Sequence, residues 1–352
     1  MNSKTAAATP ASHRLQKLTQ WLDSLPPDLA LAPNTMVPAS SDASFRRYFR
    51  LQAGKQSLIV MDAPPPQENC APFVDVTLRL TEAGVTVPKI LACDLGNGFM
   101  LLSDLGHHTY YDRIQAGLED TELQTLYREA LGTLVKLQHG KHDGLLTFDA
   151  PRLVTELQLF PEWFIKTHHN TDLTKTESEH LDRIFVLLAQ AMASEPRVLV
   201  HRDFHSPNLM VCDPETDLVN PGVLDYQDAV AGPISYDIAS LVFDARTTWD
   251  EPQQLDWAIR YWEKAKAARL PVPTDFAVFH QQYEWASLQR NLRILGVFAR
   301  LNHRDNKAHY LAHVPRVLQY VRQVAARYQP FVPLMRLLDR LQGIEPEVKL
   351  TF

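Results

Sequence analysis

Hydrophobic positions change period along the chain, and the changes mark out its elements. Leu15, Leu18, Leu22 and Leu25 recur at helical spacing with Trp21 beside them, which predicts an amphipathic helix packed on the small lobe that the next elements build. From Phe45 to Asp62 the period shortens. Tyr48-Phe49-Arg50-Leu51 and Ser57-Leu58-Ile59-Val60-Met61 read as strands joined by a turn at Gly54-Lys55. Phe73 to Ala83 returns to helical register and stops at Gly84, and Val87 to Leu91 and Phe99 to Leu102 give two more strands. Residues 45–103 therefore predict a small sheet carrying one helix. Beyond them helical stripes dominate, with Leu123, Leu126, Ala130, Leu134 and Leu137 in one and Leu181, Ile184, Leu188 and Met192 in another. Three short apolar runs interrupt the helices: Val198-Leu199-Val200, Leu209-Met210-Val211 and Gly222-Val223-Leu224. Each is bounded by turn residues, the pattern of brief buried strands.

A chain of 352 residues exceeds the usual single core, so two lobes are expected. The pattern break at Ser103-Asp104-Leu105-Gly106 is the natural hinge, giving a tail at 1–12, a nucleotide-covering lobe at 13–103 and a second lobe at 104–352. At 45% hydrophobic and 22% charged residues the composition is that of an ordinary globular protein. No apolar run approaches the roughly 20 residues that span a bilayer, and Met1 to Ser12 lacks the apolar core of a signal peptide. Cys70, Cys93 and Cys212 have no metal-ligand spacing; their odd number points to reduced packing thiols in a cytoplasm.

The chemistry concentrates in His201-Arg202-Asp203-Phe204-His205-Ser206-Pro207-Asn208 and, seventeen residues on, Asp225. An acidic side chain can accept a hydroxyl proton, an amide oxygen five residues later can ligate Mg²⁺, and a second carboxylate beyond the next strand can bridge metals that neutralise nucleotide phosphates. Asp203, Asn208 and Asp225 fit those roles in order, with ATP and Mg²⁺ as the implied cofactors. The competing reading is a plain turn, capped by Asp203 and bent at Pro207-Asn208.

With its strand frame the motif resembles the aminoglycoside phosphotransferase and choline kinase superfamily. That resemblance implies a mixed α/β (α+β), bilobal protein-kinase-like fold with a small antiparallel-sheet lobe and a mainly helical lobe. Only eleven residues separate Asp225 from Asp237, which leaves no room for a peptide-docking activation segment and implies a small-molecule acceptor. Further segments, among them Ser41 to Phe49, Val60 to Pro65, Gly98 to Gly106 and Gln289 to Leu301, are similar to the kinases that phosphorylate the anomeric hydroxyl of N-acetylmuramate and N-acetylglucosamine in Gram-negative cell-wall recycling. In the superfamily the aspartate matching Asp237 braces the catalytic loop; a helix N-terminal carboxylate is the equal alternative. His201 reads as a buried brace.

The remaining site assignments are weaker in pattern. Ser41, Ser44, Phe45, Arg46 and Arg47 would cover the phosphates, and Ser103 and Leu105 would meet the adenine. Met61 occupies the strand position where a kinase carries a phosphate-binding lysine, so Arg46, Arg47, Lys55 or the metals must supply that charge. The gap also opens a pseudokinase-type binding protein as an alternative. Glu156 and Trp163, on one face of a helix with Phe160 and Phe164, could hold a pyranose, and His205, Gln227, Arg290 and Arg293 complete the acceptor set. Between Asp256 and Arg340 fourteen Lys plus Arg face six Asp plus Glu, although the whole chain carries −6. Such a lobe suits an anionic acceptor better than choline or an aminoglycoside. No groove-reading motif accompanies the charge, so neither nucleic acid nor membrane is expected as a partner.

Overall fold

The computed structural model describes residues 10–40, 45–212 and 216–344. Helix α1 (Pro10–Asp23) leads into strand β1 (Leu31–Ser40), followed by β2 (Arg47–Ala53), β3 (Gln56–Asp62), α2 (Ala71–Glu82), β4 (Ile90–Asp94) and β5 (Phe99–Ser103). The five strands form one antiparallel sheet in the order β1-β2-β3-β5-β4. The two-residue turn at Gly54 (φ 59°) fixes the β2–β3 register, pairing Arg50 with Ile59 and Tyr48 with Met61. Period-2 alternation then splits β3. Leu58 and Val60 face α1, where they close a small core with Leu18, Leu22 and Phe99; Met61 faces the opposite way, into the main core with Phe73 and Leu102. β1 lies outside the strands expected from periodicity, because Pro33 and Pro38 break its alternation.

After β5 come β6 (His108–Thr109), α3 (Tyr110–Gln115), α4 (Asp120–Gln138), α5 (Ala150–Leu157), a π-helix (Phe160–His168) and α6 (Lys175–Ala193). Four short strands come next: β7 (Arg197–Val200), β8 (Leu209–Val211), β9 (Gly222–Val223) and β10 (Val230–Pro233). β7 pairs with β10, and β8 lies between β6 and β9. Helices α7 (Tyr236–Val242), α8 (Glu251–Ala267), α9 (Phe276–Asp305), α10 (Val314–Ala325) and α11 (Val332–Gln342) complete the larger part. α9, about 45 Å long, runs through its centre and is buried all round from Tyr283 to Leu292. Cys70 and Cys212 pack inside as expected, whereas Cys93 is exposed on the edge strand β4. No helix among the described residues is long and apolar enough to cross a membrane.

Candidate active site

β7 delivers the chain to the site. Val198, Leu199 and Val200 are buried against β10, so the strand cannot slip without exposing them. The chain then turns at Arg202, whose φ of 78° lies in the left-handed region that disfavours a side chain. Asp237, buried in the first turn of α7, holds that turn. Its Oδ2 accepts the His201 N–H at 2.7 Å and its Oδ1 accepts the Arg202 N–H at 2.9 Å. Burial pushes the Asp237 carboxyl up to about 6, against the pull of His201 and of those two N–H groups.

His201 links the loop to the segment that carries the second carboxylate. The Asp203 N–H donates to His201 Nδ1 at 3.2 Å, which leaves the ring proton on Nε2, donated to the Leu224 carbonyl at 2.8 Å. Asp225 comes next with a φ of 61°, and Gln227 Nε2 donates to its Oδ1 at 2.8 Å. Asn208 Nδ2 donates to the Asp203 carbonyl at 2.9 Å, so the amide oxygen is the end left to face a cation. Asn208 and Asp225 line one cleft of about 370 Å³ between the sheet and the helical part, walled by Ile59, Leu102, Ser103 and Leu105. An amide oxygen and an exposed carboxylate on one wall are hard oxygen ligands and fit Mg²⁺.

Asp203 stands in a basic setting. Arg290 Nη2 donates to its Oδ1 at 3.3 Å, and Arg293 Nε lies 3.2 Å from Glu156 Oε2, while Glu156 Oε1 accepts from Arg202. Desolvation raises the Asp203 carboxyl, but Arg293 and Arg290, with His205 and Arg202, outweigh it and hold the group well below the usual carboxylate range. Arg290 Nε and Nη1 and Gln227 Oε1 are buried without a hydrogen-bond partner among the described residues, an arrangement that costs about 1–3 kcal/mol per group unless a ligand or water completes it. The structure thus brings Glu156, Arg290, Arg293 and Asp203 together, with His201, His205 and Gln227 on the loops beside them.

Other expected residues stand elsewhere. Ser41 and Ser44 lie outside the described residues. Arg47 does not line the cleft: alternation puts it on the outer face of β2, where it shares the buried Asp62 carboxylate with Arg14 from α1. Arg46 pairs with Glu68, Phe45 is 68% exposed, and Lys55 sits in the exposed hairpin turn. Trp163 packs against the core; the π-helix changes the turn between Glu156 and Trp163, so the α-helical spacing that put them on one face does not hold. On α9, Arg290 and Arg293 turn to the site while Arg304 pairs with Asp305, and several other basic residues of this lobe are also ion-paired.

Two site features escaped the sequence. Arg50, on the cleft face of β2, is held by Asp104 of the hinge, with Nη2 donating to Oδ1 at 3.1 Å. Asp244, fully buried, accepts the Ser206 N–H at 3.1 Å, the Ser206 hydroxyl and the Arg246 N–H at 2.9 Å, and lies 3.4 Å from His205 Nδ1. Burial raises its carboxyl, but the His205 and Ser206 contacts prevail and keep it well below the usual range. Asp244 lies two residues beyond the end of α7, whose first turn carries Asp237, so the two ends of one short helix hold the same loop.

A protein from Pseudomonas aeruginosa named N-acetylmuramate/N-acetylglucosamine kinase is 46% identical over 341 residues, covering 94% of this chain and 98% of its own length. One of the same name from Neisseria meningitidis serogroup B is 40% identical over 331 residues, covering 94% and 96%. Among solved structures, a choline/ethanolamine kinase family protein from Mesorhizobium loti aligns over 94% of this chain and 99% of its own, with a TM-score of 0.58 at 14% identity, which shows the shared kinase-like fold. The pattern of the phosphotransferase enzyme family, APH, matches residues 35–276, the stretch that holds the sheet, the hinge and the Asp203, Asn208 and Asp225 loops. The chain belongs to that phosphotransferase enzyme family.

Proposed function

We propose that this protein is an ATP-dependent kinase that phosphorylates the anomeric hydroxyl of N-acetylmuramate and N-acetylglucosamine, giving the sugar 1-phosphate in cytoplasmic peptidoglycan recycling. One observation carries the reading. A carboxylate on a kinase-type loop stands beside buried arginines and Glu156, next to a cleft with two oxygen ligands for a metal. The names of the relatives support the same substrates. A polycationic aminoglycoside is disfavoured, because Arg290 and Arg293 would repel it at the point of transfer.

In this mechanism Asp203 Oδ1 or Oδ2 accepts a hydrogen bond from the acceptor hydroxyl, aligns its oxygen for in-line attack on the γ-phosphorus of ATP and takes its proton as that bond forms and the bond from the γ-phosphorus to the departing ADP oxygen breaks. Glu156 and the Gln227 amide hold ring hydroxyls. Asp237 and Asp244 fix the loop, so that little reorganisation is needed at the moment of transfer. Asn208 and Asp225 would hold Mg²⁺, which supplies neutralising charge at the phosphates.

The test is direct. Purified protein with ATP and Mg²⁺ is offered N-acetylmuramate, N-acetylglucosamine, other sugars, choline and kanamycin, and NMR locates the phosphate on any product. A C1 phosphate on the two N-acetyl sugars is expected, with turnover falling by about two to four decades in Asp203→Asn while nucleotide still binds. Transfer to kanamycin or choline instead, or near-wild-type turnover in Asp203→Asn, would sink the assignment.

A further inference from the structure

Met61 leaves a kinase cleft without its strand cation, and the residues first expected to replace it do not line that cleft. Among the described residues three basic side chains do: Arg50, His107 and Arg246. Arg50 is committed elsewhere. Asp104 neutralises it, its Nη2 also donates to the Gly106 carbonyl at 2.7 Å, and its Nη1 lies 2.9 Å from His107 Nδ1, so both groups are drawn to the hinge. Arg246 differs. Its backbone N–H donates to Asp244 Oδ1, the carboxylate that also holds Ser206 and faces His205, so its Cα is fixed to the loop that presents Asn208. Its guanidinium lies 5.9 Å from the centre of the Tyr310 ring and has no hydrogen bond or ion pair among the described residues.

We propose that Arg246 is the cation that meets the nucleotide's phosphates in place of the missing strand lysine. The inference rests on the kinase reading above. A guanidinium steadied on an aromatic face keeps its planar fork of N–H donors available and is weakly hydrated, so phosphate can take it bidentately at little cost of desolvation. Its anchor also differs from that of a strand lysine. The positive charge belongs to the catalytic loop through Asp244, and it holds its place relative to Asn208 whatever the sheet above does.

Calorimetric titration of ATP-Mg²⁺, ADP and adenosine into wild type, Arg246→Met and Arg246→Lys, alongside steady-state kinetics, tests this. Arg246→Met retains the apolar stem. Its ATP affinity should fall roughly ten- to a hundredfold, as expected for one charge-assisted contact, with adenosine binding unchanged and part of the loss recovered in Arg246→Lys. An equal loss for adenosine makes Arg246 a wall of the base pocket and overturns the proposal. Unchanged ATP affinity with a raised sugar KM assigns it to the acceptor and overturns it equally. Wild-type protein that binds no nucleotide at all defeats the kinase reading itself, a result separate from either.

Discussion

Asp203 is an aspartate surrounded by arginines, and that sets how strong a base it can be. Held well below the usual carboxylate range, it stays ionised in mild acid but attracts a proton weakly, so in the proposed reaction its first contribution would be to orient the hydroxyl. Removing one positive neighbour should move its carboxyl back up. In Arg290→Met the acid limb of the pH dependence of kcat/KM is expected at higher pH than in wild type, because the base is now protonated earlier as pH falls. The same arginine offers Nε and Nη1 without a hydrogen-bond partner among the described residues, and under the proposed function the lactyl carboxylate of N-acetylmuramate would bind there. A charge-assisted bond of about 1.5–3 kcal/mol gives that sugar one to two decades of preference, which Arg290→Met should erase while sparing N-acetylglucosamine. Equal losses for both sugars would place the carboxylate elsewhere. Asp203, Asn208 and Asp225 were legible because their spacing is dictated by the chemistry. Arg50 was missed although a signal existed: the Gly54-Lys55 turn sets the register that puts it on the face of Met61 and Arg47 on the other. Glu156 could be named as a candidate, but not its bond to Arg202, because nothing local in the sequence says which arginine a carboxylate will meet.

At the scale of elements, the acceptor side depends on how closely α9 crosses the turn between α5 and the π-helix. Gly296 makes that crossing possible: a Cβ there would overlap the backbone carbonyl of Leu159. Backbone, unlike the tip of a flexible side chain, cannot step aside. Gly296→Ala should therefore lower stability by roughly 1–3 kcal/mol, and the displaced α9 should carry Arg293 away from Glu156 three residues before Leu159. Chemical denaturation checks the first effect and turnover at saturating ATP checks the second; wild-type values for both would show that the helices separate without cost. The helix stripes and the hairpin could be read from periodicity. β1, with its two prolines, and the π-helix could not, since tertiary contacts stabilise both against their local pattern.

Across the whole molecule, buried carboxyls couple fold and pH. Glu195, at the end of α6, accepts the Ser235 N–H at 3.2 Å and the Ser235 hydroxyl at 2.9 Å just before α7, and burial nevertheless pushes it up to about 8. Its folded pKa is raised above the unfolded value, so the folded state holds the proton more tightly. The stability it contributes is full below about 4.5 and is lost as pH rises through about 8. Glu195→Gln keeps an acceptor and a donor for Ser235 without the titration. Its stability, from chemical denaturation, should match wild type near pH 5 and exceed it near pH 9 by on the order of 1–3 kcal/mol. A constant difference between the two pH values would show that Glu195 does not titrate in the folded protein.

The two faces of β3 place unlike demands on alternate residues of one strand. Ile59 and Met61 look toward the nucleotide cleft and the main core, while Leu58 and Val60 look toward α1. Drift on the even-numbered positions can be absorbed by compensating changes in Leu18 and Leu22, a private exchange between one helix and one sheet face. The odd-numbered positions have no such partner free to change with them. A library that varies 58 and 60 together with 18 and 22 can therefore be searched for heat resistance with turnover left alone, and one that varies 59 addresses the cleft wall with the outer core left alone.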